Sequence, residues 1–122
     1  MDANQVRMDR AEQAEQKIGI HQLQVMRITS DFGHENPKSD RWIVACEVPG
    51  DENRSQHLLT VWAYDERNYS LLASALEAGR TMFLKVRWTK AREGSSIDWL
   101  GAIMNVAPTK ELLLDPGLPP EA

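Results

Sequence analysis

A chain of 122 residues, 42% hydrophobic and 26% charged, suits one globular domain with tails and excludes two ordinary domains. It contains no apolar run near the roughly 18 residues of a membrane-spanning helix, and its start, Met-Asp-Ala-Asn-Gln-Val-Arg, lacks the apolar centre of a secretory signal. A soluble, cytoplasmic protein that does not engage membranes is expected. The single cysteine, Cys46, excludes an internal disulfide and lies in an apolar run, where a thiol behaves as a small hydrophobe.

The net charge of −4 is unevenly placed. Residues 1–16 carry two Arg and four acids, residues 107–122 one Lys and three acids, and residues 17–106 carry 11 of each sign. Five of the 14 basic residues (Arg80, Lys85, Arg87, Lys90 and Arg92) fall between Arg80 and Trp99, beside Phe83, Trp88 and Trp99. Cations neutralise phosphates and flat rings stack on unpaired bases, so this segment reads as a contact surface for a single nucleic-acid strand. A local basic face on an acidic chain implies weak, salt-sensitive binding.

In chain order, residues 1–16 are polar with few apolar anchors and read as a flexible arm. Lys17 to Phe32 has β patterning whose alternation changes between Ile20 and Leu23, which predicts a long first strand with a bulge there. Gly33 to Asp40 is turn chemistry. Arg41–Val48 and His57–Tyr64 alternate cleanly around the turn Pro49–Ser55 and predict a hairpin. Asp65 is an N-cap candidate, Tyr69, Leu72, Ala73 and Leu76 recur at helical spacing, and Gly79 is a stop, predicting a helix over 65–78. A fourth strand follows, with Met82, Leu84, Val86 and Trp88 on one side and Phe83, Lys85 and Arg87 on the other. After the loop around Gly94, a fifth runs from Ile97 to about Val106, limited by Pro108. Residues 107–122, rich in Leu and Pro, read as a tail.

Three strands, one helix and two strands, with a long first strand, resemble the five-stranded oligonucleotide-binding (OB) barrel over residues 17–106. In layout the chain is similar to bacterial single-stranded DNA-binding proteins and the primosomal protein B family. The resemblance implies a helix closing the barrel between strands three and four, and ligand contact through the loop between strands four and five, here Thr89 to Ser96. The bacterial binders usually end in an acidic tip closing on Pro-Phe, whereas this chain ends Leu-Pro-Pro-Glu-Ala. That departure points to a specialised relative carried by a mobile element.

The nucleic-acid-binding candidates are Phe83, Lys85, Arg87, Trp88, Lys90, Arg92, Trp99, Trp62 and Tyr64. Phe83, Lys85 and Arg87 share the side of their strand that cannot be core. Trp88 shares its side with Met82, Leu84 and Val86, and that alternation favours a buried ring at the strand end over a ligand-facing one. Trp62 and Tyr64 become stacking rings if their side of the third strand faces outward, though Leu58 shares that side.

His21, His34 and His57 lack the spacing of a metal site, and no phosphate loop, nucleophile elbow or zinc-protease motif is present. Neither an enzyme nor a metal or cofactor is expected. The leading reading is non-specific binding of single-stranded DNA, or of RNA, by a homodimer or higher oligomer with its interface on the first strand. The rival reading is an OB-fold adaptor that docks on a replication or mobile-element protein without binding nucleic acid.

Overall fold

The computed structural model describes residues 16–91, 93–94 and 99–114. The strands are β1 (Gln16–Asp31), β2 (Arg41–Glu47), β3 (Gln56–Trp62), β4 (Thr81–Lys90) and β5 (Trp99–Ala107), with helix α1 (Glu66–Ala78) between β3 and β4. They close into a barrel in the order β1-β2-β3-β5-β4, an OB-like architecture. All neighbours are antiparallel except β3 and β5, which run parallel through Leu59–Gly101 and Thr60–Ala102.

Length and bending let β1 serve two partners. Gln16 to Gln24 pairs with β4, and Gln24 to Asp31 pairs with β2. The bulge that re-aims the strand lies between Val25 and Arg27, not between Ile20 and Leu23 as the apolar pattern suggests. Pairing with β4 is regular through Ile20 to Leu23, so the inward positions are Gly19, His21, Leu23 and Val25. Ile18 and Ile20 sit opposite Arg87 and Lys85, on the outside. The alternation misleads there because a histidine and a glycine occupy inward places.

The interior is aliphatic. Leu59, Leu72, Leu84, Val44, Val61, Val86, Val106 and Cys46 are the largest fully buried side chains, and each buried aliphatic side chain contributes about 1.5–3 kcal/mol. Burial pushes the Cys46 thiol up to about 12. Trp42 lies against this core, stacked on Tyr69 of α1 at 4.4 Å with Phe32 edge-on at 4.7 Å, which commits that tryptophan to packing.

The hairpin predicted between the second and third strands is present, but β3 ends at Trp62. The amide of Asp65 bonds to the carbonyl of Trp62 at 3.0 Å, closing a turn that contains Ala63 and Tyr64. The helix starts where expected: the Asp65 carboxylate accepts from the backbone N–H of Asn68 at 3.1 Å. The buried Asn68 amide then donates to Asp65 at 2.7 Å and to the carbonyl of Met104 at 3.2 Å, fastening α1 to β5. Leu72 and Ala75 fill one end of the barrel. Gly79, at φ 68°, ends the helix in a left-handed cap in which the N–H of Arg80 bonds to the carbonyl of Ala75.

The segment after Pro108, read from its Leu and Pro content as tail, is partly core. A 3₁₀ turn over Lys110–Leu113 packs on β4 and β5 and buries Leu113 to 2% exposure. The barrel therefore extends past residue 106 to that anchor. The N-terminal arm up to residue 15 and the chain from 115 onward lie outside the described residues.

Candidate nucleic-acid interface

Strand alternation sorts the candidates into two groups. On β4 the inward row is Met82, Leu84, Val86, Trp88 and Lys90, of which the first three are buried core. The row continues past the core, and its last two members emerge at the barrel end opposite α1. There Lys90 pairs across β5 with Trp99, Trp88 pairs with Gly101, and Lys17 of β1 pairs with Trp88. The ammonium of Lys17 lies 4.4 Å from the centre of the Trp99 ring and that of Lys90 lies 5.6 Å away, both in cation–π range.

Beneath them Trp88 is half-buried and fixed. Its indole N–H donates to Nε2 of His21 at 3.0 Å, and His21 and His57 both meet its ring edge-on, at 5.6 and 6.4 Å. Burial first, then the neighbouring His57 and Lys17, lower the pKa of His21 from its ordinary value of 6.5. Gly101 makes room for the indole: a Cβ there would lie 2.8 Å from the Trp88 ring and 2.5 Å from Leu59. Lys17, His21, His57, Trp88 and Trp99 line the resulting cleft, of about 510 Å³.

Trp62 and Tyr64 form the second group. Leu59 and Val61 point into the core, so Leu58, Thr60 and Trp62 face outward, which meets the condition for stacking rings. Tyr64, 69% exposed, lies parallel to Trp62 with ring centres 6.2 Å apart and planes 7° apart. Lys38, from the turn between β1 and β2, borders the same hollow. From His57 at the mouth to Trp62, β3 covers roughly 17 Å at about 3.3 Å per residue.

Phe83, Lys85 and Arg87 lie on the outside of β4, as alternation predicts, opposite Gln22, Ile20 and Ile18 of β1. On the barrel wall they are two strands away from Trp62, with β5 between. The structure thus brings together Trp88, Lys90 and Trp99, and separately Trp62 and Tyr64. Arg92 lies outside the described residues. Lys17, His21 and His57 complete the mouth, although the sequence marked the histidines only as lacking the spacing of a metal site. The available signal was the inward sequence Gly19-x-His21-x-Leu23, hidden by the apolar Ile18 and Ile20.

Among the described residues no three His, Cys, Asp or Glu side chains gather as a metal site, and no helix is long and apolar enough to cross a membrane. The fold defines the chain as an OB-like barrel with an aromatic, lysine-bearing mouth. No protein-family model matches the chain, and no curated protein does.

Proposed function

We propose that this barrel binds single-stranded nucleic acid, DNA ahead of RNA, without sequence preference. The strand would run from Trp99 at the mouth along the outer face of β3 to Trp62 and Tyr64. The observation that carries this reading is the pair of aromatic stations at the two ends of β3, one beneath the ammonium groups of Lys17 and Lys90, the other bordered by Lys38. Rings that stack on any base, with cations for the backbone, give binding that tolerates sequence and weakens with salt. Lys85 and Arg87 add charge on the neighbouring wall. Homodimerisation belongs to the same reading: among the described residues the β1 half Gln16–Leu23 pairs along one edge alone, with β4, and Ile18 is exposed. The test is a titration of tryptophan emission with oligo-dT and with duplex DNA at low and moderate salt. Saturable quenching by oligo-dT that fades with salt supports the reading, and unchanged emission with no retained oligonucleotide rejects it.

One observation favours the adaptor reading. Leu58 and Leu100 are 60% and 51% exposed on adjoining strands, and neighbouring apolar side chains suit a protein partner. Light scattering with a replication protein from the same host, in the absence of DNA, would separate the two.

A further inference from the structure

We propose that the open end of the barrel is a pocket for one nucleotide unit, its flat base against Trp88 and Trp99 and its phosphate on Lys17 and Lys90. This deepens the strand-binding reading and rests on it for the class of ligand, while placing one base in the mouth instead of along the outer wall. The cleft's volume, about 510 Å³, falls within the range of small-ligand sites. Its floor is held before any ligand arrives: the Trp88 indole is tied to His21 at 3.0 Å, and its ring lies over Gly101, where a Cβ would clash at 2.8 Å. A ring already ordered loses little further freedom on binding.

The ligand class follows from what the walls offer together. Flat rings alone would accept any apolar group, but such a group would strip water from the two ammonium ions beside Trp99 and give nothing back. An anion covalently joined to a flat ring satisfies both. His57, at the rim, has ring nitrogens able to bond the polar edge of a base. Below the cleft Leu59 and Val86 are fully buried in the closed core, so no strand can thread through. The mouth takes a terminal base or one turned out of the strand.

Titration of the full chain with dTMP, thymidine and inorganic phosphate tests this, with tryptophan emission as the readout and thermal melting as the folding control. Saturable quenching by dTMP at about millimolar concentration is expected, with thymidine roughly tenfold weaker and phosphate without effect. Lys17→Gln should weaken dTMP about tenfold and leave thymidine alone. Trp62→Ala should leave dTMP binding intact. Absence of saturable dTMP quenching, equal binding of dTMP and thymidine, or loss in Trp62→Ala with retention in Lys17→Gln would each overturn the pocket. If oligo-dT still binds in those cases, the sheet-face reading stands and the pocket alone falls. Failure of oligo-dT as well removes both.

Discussion

Trp88 and His21 are joined across β4 and β1 by an indole N–H donated to Nε2 at 3.0 Å. The bond needs an unprotonated Nε2, so the neutral ring carries its proton on Nδ1. The mouth of the barrel is therefore organised around a histidine whose protonation would turn its acceptor into a second donor facing the indole.

That arrangement sets a pH dependence. Burial, then His57 and Lys17, place the folded-state pKa of His21 below 6.5, so the unfolded chain takes up the proton first as pH falls. This contribution is complete above about pH 6.5 and is lost as pH falls from there through the folded-state value. Melting temperatures measured between about pH 8 and pH 5 should decline on the acid side, and His21→Gln should flatten the decline. Asp31 is held low chiefly by the Arg41 hydrogen bond, and Asp51 by the N–H groups of Asn53 and then Ser55. Their contributions are lost in a separate, more acid window. Identical slopes for wild type and His21→Gln would reject the assignment to His21.

Gly101→Ala should destabilise the barrel by about 1–3 kcal/mol, because its methyl would overpack against Leu59 and the Trp88 ring. Urea unfolding measures the loss, and a shift of native tryptophan emission should accompany it. Unchanged stability and emission would mean that the strand backbone yields instead.

Trp62→Ala and Tyr64→Ala should each cost about 1–3 kcal/mol of oligo-dT affinity with little change in melting temperature, since both rings face outward. The double variant Lys85→Ala, Arg87→Ala should also weaken binding and keep its stability. Early melting of that variant would show that its side chains support the fold.

Leu113→Ala should cost about 2–5 kcal/mol, because this side chain is 2% exposed under the 3₁₀ turn. Removal of residues 108–122 should lower the melting temperature similarly. A truncated chain as stable as the whole would make that turn a passenger.

Cys46, with its thiol pushed up to about 12 by burial, should resist an aromatic disulfide reagent in the native protein and react as the chain unfolds. Rapid native reaction would contradict its place in the core.

Element order and fold class were legible because each strand's alternation and the helix's spacing are local properties of the chain. Met82, Leu84 and Val86 read as one side and are buried as one side. The Asp65 cap and the Gly79 stop also read correctly, since capping depends on a few neighbouring residues. The tail was misread at Leu113 because burial of a single leucine depends on where a short turn lands, which no periodicity records.

What the sequence determined by itself is therefore the barrel, its helix and the outward placing of Lys85 and Arg87, all set by which side of an element is apolar. The tertiary structure decided how the four tryptophans divide. Trp42 went to the helix, Trp62 to the outer wall beside Tyr64, and Trp88 and Trp99 to the mouth. Only closure of the barrel could gather Lys17, His21, His57, Trp88 and Trp99. They come from four different strands, and their nearness is fixed by pairing register across the closed sheet, a relation between distant segments that no local pattern encodes.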